Sequence, residues 1–337
     1  MGTSFDNLYV ILTFILSIRF LNAPVWHHPG TEGSKPDVSI PVKTRFRALA
    51  RVWSYTAGPV RSLERTMSNQ EGVPRNGTFA ERYDSVMVPV IFQPWAQELL
   101  QRQPPQNGDR ILDLACGTGA VIREVASLGN GFARLTGVDM SSGMLAVAAE
   151  KASVNGIDAE WFEATAGDLP FPDGGFDLAY CQQALQFFPD RVGALRELHR
   201  VLASGGRVAF CVSRGLSENP LLMAQATALE KHVGAEAGAA VRAICQLSDP
   251  EEIRSNFEAA GFLDIQLETV SLTLHHPDGR AYAAGAMGGM HTGDKLSQLS
   301  EEDRNACFND FLKELGTCFD GEAIRFPHVS NVVTAHT

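Results

Sequence analysis

Positive charge is in short supply in this chain. Its 337 residues carry 28 Lys and Arg against 39 Asp and Glu, a net charge of −11. Such a field gives a nucleic-acid partner no support. Long apolar runs are missing too: Leu8 to Ile18 (LYVILTFILSI) is too short to span a bilayer comfortably as a helix. Metal-binding spacings are also absent. The six cysteines form no CxxC pair, and no His/Cys cluster has zinc spacing. They read as buried free thiols in a reducing, cytoplasmic compartment, with no metal site. What is present is ordinary for a globular protein: 45% apolar and 20% charged residues, enough for a sizeable core.

Charge is unevenly spread. Residues 1–66 hold eight Lys/Arg and four acids, while the remainder holds 20 basic and 35 acidic residues. The shift marks a boundary near Met67, between a leader (1–66) and a single domain (67–337). As a signal peptide the leader is poor, because Asp6 and no basic residue precedes the apolar run. Lys43 to Arg65 is basic with interleaved aromatics and suits an anionic membrane surface, so membrane contact is expected only through the leader. The competing reading is a disordered leader ahead of a working start at Met67.

From Ala80 onward, strand-like and helix-like segments alternate. Pro89 to Gln103 predicts a helix, at least after Pro94. Strands are expected at Arg110–Ala115, Phe132–Val138, Ala159–Ala164, Phe176–Cys181, Arg207–Ser213, Leu263–Leu274 and His328–Ala335. Helices fall between them: Thr118–Leu128, one capped by Ser141 or Ser142, and Arg191–Ala203 stopping at a glycine cap, Ser204-Gly205-Gly206. Another opens at Asp249-Pro250. This alternation predicts an α/β fold, a doubly wound, seven-stranded, mostly parallel Rossmann-like sheet. Two late segments, 216–246 and 277–326, break the alternation. They are expected to be helical insertions forming a lid over the carboxyl ends of the strands, where ligands bind in such sheets. Ala284 to Gly293 (AGAMGGMHTG) reads as the lid's hinge, since its four glycines restrain the backbone little.

The chemistry concentrates at three successive strand ends. Ile111 to Ala120 (ILDLACGTGA) runs from a buried strand into a glycine turn and a helix, where Gly117 and Gly119 allow close backbone approach to a ligand. The second strand ends at Asp139, an acid suited to ribose hydroxyls, followed by Met140, which can cover an adenine face. After the third strand comes Gly167-Asp168-Leu169-Pro170-Phe171, where a carboxylate and backbone N–H groups can read an adenine edge. Each feature alone has a plain structural explanation: a tight turn, a helix cap, a turn residue. Their order on successive strand ends is harder to explain that way.

Those residues resemble the class I methyltransferases that bind S-adenosylmethionine, especially the ubiquinone/menaquinone-type group. The resemblance lies in DLACGTG (113–119), GVDMSSGML (137–145), GDLPFPDGGFDLAYCQQALQFFPD (167–190) and LRELHRVLASGGRVAF (195–210). It covers residues 80–337 and is specific in its first half. It implies that Asp113, Ala115 and the Gly117/Gly119 turn hold the methionine part of the cofactor, and that Asp139 takes the ribose and Met140 the adenine face. Gly167, Asp168 and Leu169 would take the adenine edge, and Gln182 would face the methionine end. Tyr83 resembles a tyrosine that closes over the cofactor. At Ala115 many relatives have glycine or valine. A methyl transfer to a small, largely apolar acceptor follows, in-line and helped chiefly by alignment and desolvation. Weak catalytic candidates are Tyr83, Gln182, Gln186 and His291. His275, His276 and His328 are further candidate bases should the acceptor lose a proton. Two rival readings differ in class. A nicotinamide-dependent oxidoreductase shares the strand–GxG–helix unit, but Ile122 stands where its third glycine belongs. A cofactor-binding protein without catalysis would keep the same motifs. The motifs name neither the acceptor nor an oligomeric state.

Overall fold

The computed structural model describes residues 78–129, 131–288 and 293–337. The chain divides into two units, Met1–Glu71 and Gly72–Thr337; the leader and its proposed boundary lie outside the described residues. Seven strands form one sheet in the order β3-β2-β1-β4-β5-β7-β6. They are β1 (Arg110–Leu114), β2 (Arg134–Asp139), β3 (Glu160–Glu163), β4 (Phe176–Gln182), β5 (Leu202–Ser213), β6 (Leu263–His276) and β7 (Ile324–His336). The first five are parallel, and β7 is antiparallel to both β5 and β6. The strand order reverses beside β1, which places the ligand crevice at the carboxyl ends of β1, β2 and β4.

Alternation along each strand sends side chains to two cores. On one face Ile111, Leu178 and Tyr180 pack with Trp95, Leu99, Val121, Ile122 and Phe311. On the other, Leu112, Leu114 and Phe210 pack with Leu195, Leu198 and Phe257. The helices of this alternating part are α1 (Gln93–Arg102), α2 (Ala120–Ser127), α3 (Ser142–Val154), α4 (Arg191–Val201) and α7 (Pro250–Ala260); Phe311 comes from a later helix. Their starts follow the side chains that cap them: Ser141 accepts from Met144 N–H, Asp190 from Gly193 N–H and Asp249 from Glu251 N–H. The late insertions are helical as expected. Residues 216–246 contain α5 (Pro220–His232) and α6 (Ala235–Arg242). Residues 277–326 contain α8 (Gly279–Gly288), α9 (Gly293–Ser297) and α10 (Glu301–Glu314). No described helix is long and apolar enough to cross a membrane.

Three expectations require correction. Helical structure begins at Phe79, ten residues before the expected Pro89: an α-turn, Phe79–Arg82, leads into a ten-residue π-helix, Tyr83–Phe92, and then α1. Pro89 lies inside this π-helix. Helix α4 stops at Val201, before its glycines, and Gly205 and Gly206 lie within β5. Finally, β7 begins at Ile324, four residues earlier than its apolar pattern, because Ile324 and Phe326 already pair with His276 and Leu274 of β6.

One close contact ties the glycine turn to the sheet. The Trp161 indole from β3 lies over Gly137 of β2 and under Gly119, where an added Cβ would approach its ring to 2.7 Å. At Gly137 an added Cβ would press on the same ring and on Cys116. Overpacking of this kind costs about 1–3 kcal/mol. Gly137→Ala is expected to lower stability by that amount in urea unfolding, and the loss should largely vanish in a Trp161→Leu background. An equal loss in both backgrounds would show that the ring is not the obstacle.

Candidate cofactor-binding site

The site is built at the end of β1. Asp113 lies between Leu112 and Leu114, so its side chain points to the opposite face from theirs, on the side of the π-helix. Beyond it the backbone turns left-handed three times in five residues: Ala115 (φ 56), Gly117 (φ 53) and Gly119 (φ 80). Gly119 is the N-cap of α2. Ala115 pays a left-handed strain on the order of 1 kcal/mol that glycine would not, which is a physical reason for glycine to be frequent at this position in the family it resembles.

Asp139 holds the turn in place. Its Oδ2 accepts the Gly117 N–H at 2.9 Å and its Oδ1 accepts the Ser141 N–H at 2.9 Å. Each oxygen keeps a further lone pair for a hydroxyl donor. Burial raises the Asp139 carboxyl above its usual range, and the backbone N–H groups of Ser141, Gly117 and Met140 oppose that rise.

Tyr83, Phe92, Asp113, Ala115, Cys116, Gly117, Thr118 and Gln182 line a small cavity of about 30 Å³. Tyr83 roofs it, stacked on Phe92 with ring centroids 4.8 Å apart. Its phenol is pushed well above the usual range, first by burial and then by Asp139, Asp84 and Asp113. The next residue, Asp84, receives a 2.8 Å hydrogen bond from Arg123, whose other nitrogen donates to Thr118 O at 2.6 Å. The roof and the glycine turn are thereby joined through one guanidinium. Gln182 donates to Phe92 O at 2.6 Å. Its neighbour Gln183, left-handed at φ 52, donates to Ser330 and accepts from Ser213.

Asp113 is the anomaly. It is 1% exposed, and no side chain donates to either carboxylate oxygen. Burial drives its carboxyl well above the usual range and the Asp139 charge adds to the effect, while the Ile122 backbone N–H and the Arg123 charge oppose it. An acid kept in that state inside a glycine cradle suits a cationic or N–H-bearing ligand group. The residues present therefore fit an amino-acid-bearing cofactor.

The adenine side is more open. Met140 is 60% exposed at the end of β2, and Gly167 and Asp168 are exposed beyond β3. The Leu169 N–H is already donated to Glu197 at 2.9 Å. Arg200 holds the same loop through Leu169 O, Phe171 O, Asp173 and Glu197. The Leu169 N–H is thus held within the protein, and the Asp168 carboxylate is exposed beside it. Glu197 and Arg200 stand within the LRELHR stretch, yet nothing in the motif announces that they reach back to the loop.

The remaining candidates separate. Gln186 lies outside the cavity, fully buried on a 3-10 turn, donating to Gln183 O and leaving its Oε1 unpaired. His275 and His276 belong to the edge strand β6. His328 is 3% exposed and its Nδ1 accepts the Trp95 indole N–H at 2.9 Å, so its proton sits on Nε2. Burial pushes this imidazole down to about 4. A base role is not available to His328 in this arrangement, since the nitrogen that could accept is committed. His291 lies outside the described residues, as does part of the proposed hinge, 289–292.

Comparison with known proteins follows the same lines. The family described as a methyltransferase domain matches residues 112–210. Over 132 residues the chain is 44% identical to a demethylmenaquinone methyltransferase of Thermus thermophilus, covering 38% of this chain and 60% of the relative. Over 118 residues it is 35% identical to a 2-phytyl-1,4-naphtoquinone methyltransferase of Synechococcus elongatus, covering 34% and 51%. The chain thus spans between half and two thirds of the length of these relatives. Among solved structures, the [4+2]-cyclase SpnF shares the fold, with a TM-score of 0.50 and 21% identity over 73% of this chain and 81% of that one.

The buried carboxylate generates a prediction. Because Asp113 holds its proton more tightly folded than unfolded, its contribution to stability is full below the unfolded carboxyl range and is lost as pH rises through the folded value. Asp113→Asn is therefore expected to stabilise the ligand-free protein by about 1–3 kcal/mol near neutral pH, with the gain shrinking toward pH 4. Melting temperatures across that range check it. A variant less stable than the parent at pH 8 would contradict it.

Proposed function

We propose that this chain, which carries a class I methyltransferase domain of the quinone-methyltransferase type, moves a methyl group from S-adenosylmethionine to a small ring acceptor of the quinol class. The observation that carries the reading is the buried Asp113 carboxylate, without a side-chain partner, beside the Gly117/Gly119 turn. The relatives' names supply the acceptor class.

S-adenosylmethionine, when bound, supplies a methyl group already activated on a sulfonium. What remains for the chain is to bind, align and keep water out. Asp113 would take the amino group of the methionine part, with Ala115 and the glycine turn against it. Asp139 would take the ribose hydroxyls with the lone pairs its backbone contacts leave free. Met140 would cover the adenine face and Asp168 its amino edge. Tyr83, Phe92 and Gln182 would close the methionine end. Helices α5 and α6 and the segment 277–326 would form the apolar cover over the acceptor. Methylation of a ring carbon replaces a C–H bond with a C–CH3 bond, so one proton must leave. With His328 committed to Trp95, and Gln182 and Gln186 carrying no titratable proton, no base is assigned among the described histidines of the site. The acceptor's own hydroxyl, ionised, can instead supply the electron density.

The test is incubation of the full chain with methyl-labelled S-adenosylmethionine and a reduced, ring-unmethylated naphthoquinone bearing an isoprenoid tail. Label is expected in the quinone, with Asp139→Ala weakening cofactor binding by about 1–3 kcal/mol through unpaired ribose hydroxyls. Label recovered only in protein or nucleic acid would overturn the acceptor class. Calorimetric binding of NAD in preference to S-adenosylmethionine would overturn the methyltransferase reading.

A further inference from the structure

The roof over the cofactor cavity changes character at Val86. From Val86 to Ile91 every residue but Pro89 is buried, whereas Thr78 to Ser85 is exposed or half-buried apart from Ala80. Tyr83, which covers the cavity, stands in this outer part. The cavity measures about 30 Å³, room for about one or two waters. The methionine part of the proposed cofactor, with its ammonium, carboxylate and sulfonium, is many times larger. Asp113, which lines the cavity, is buried. A ligand of that size reaches Asp113 only when the roof lifts, and the buried stretch from Val86 onward makes the outer end the part that moves.

Arg123 of α2 crosses from this outer end to the glycine turn. One terminal nitrogen donates to Asp84 Oδ1 at 2.8 Å and the other to Thr118 O at 2.6 Å. Asp84 Oδ2 also lies 3.9 Å from Lys151 Nζ of α3. The Asp84 and Arg123 side chains are 10% and 20% exposed, so water weakens their pairing far less than that of a surface pair.

We propose that Arg123 is a positioning residue, a latch whose two-pronged guanidinium ties Asp84 to the Thr118 carbonyl, holds Tyr83 over the cavity, and lets go for each cofactor exchange. The inference rests on the cofactor reading above for the identity of the ligand that passes; the latch itself belongs to the ligand-free chain. Its action depends on the fork and not on charge alone. The Arg123 charge does reach Asp113, and a lysine would keep that charge. A lysine, however, offers a single point donor in place of a planar fork. Arg123→Lys therefore separates a latch from a purely electrostatic role.

The test uses Cys116, which lines the cavity and is 8% exposed. The full chain without ligand is pulsed with N-ethylmaleimide, and labelling at each cysteine is read by mass spectrometry. Cys181 and Cys211, fully buried within β4 and β5, report general loosening. Cys116 is expected to label about tenfold faster in Arg123→Lys and in Asp84→Ala than in the parent, the factor that follows from losing a charge-assisted hydrogen bond. Cys181 and Cys211 should stay as slow as in the parent. The double variant should be no faster than either single one, because both changes break the same link. Dissociation of bound S-adenosylhomocysteine should quicken by a similar factor. Faster Cys116 labelling in a chain that binds no S-adenosylhomocysteine would support the latch while striking the cofactor reading. Parent-like labelling of Cys116 in Arg123→Lys would overturn the proposal, as would an acceleration shared by Cys181 and Cys211.

Discussion

A buried carboxylate with no side-chain partner is the constraint around which this end of the molecule is organised. Asp113 lies on a central strand between two buried leucines, and no side chain donates to it. A group in that condition costs the folded protein free energy. The fold tolerates it because the surrounding lattice is rigid: β1 is hydrogen-bonded to β2 on one side and β4 on the other. Asp139 pins the glycine turn beside it, and Arg123 pins the roof. Destabilisation of this sort is what a preorganised binding site looks like before its ligand satisfies it.

The same logic separates two kinds of residue within the motifs. Asp113, Met140 and Asp168 have unmet polar or apolar capacity directed at the crevice or solvent. Asp139 and Leu169 are partly spent on holding the protein itself together. A motif reading assigns all five to the cofactor; in this structure the Leu169 N–H is donated to Glu197. Glu197 and Arg200, far along the chain, take over the work of fixing that loop.

Much of the fold was legible in the sequence because the central parallel strands are short, largely apolar runs. RILDLA, LTGVD and FDLAYC declare their extents, and the helices capped by Ser141 and Asp249 declare their starts. What escaped was governed by long-range partners. The π-helix around Pro89 is set by packing of Val86, Val90 and Ile91 into the core. The early start of β7 at Ile324 is set by β6, not by local pattern. The His328 tautomer depends on Trp95, 233 positions away in sequence. At the site, the glycine turn and its acids were visible as a motif. The Phe92 wall, the Asp84–Arg123 link and the Glu197–Arg200 brace were not, since each depends on which helix faces which loop.

The central claim is that the Asp113 carboxyl, held protonated more readily than usual by burial, becomes an anion paired with the cofactor's amino group on binding. Such a change expels whatever proton the unliganded carboxyl holds. The direct measurement is calorimetric titration of the full chain with S-adenosylhomocysteine near pH 6, in buffers of different ionisation enthalpy. Net proton release that disappears in Asp113→Asn is the result this account predicts. Binding of equal strength in parent and variant, with no proton released by either, would contradict it.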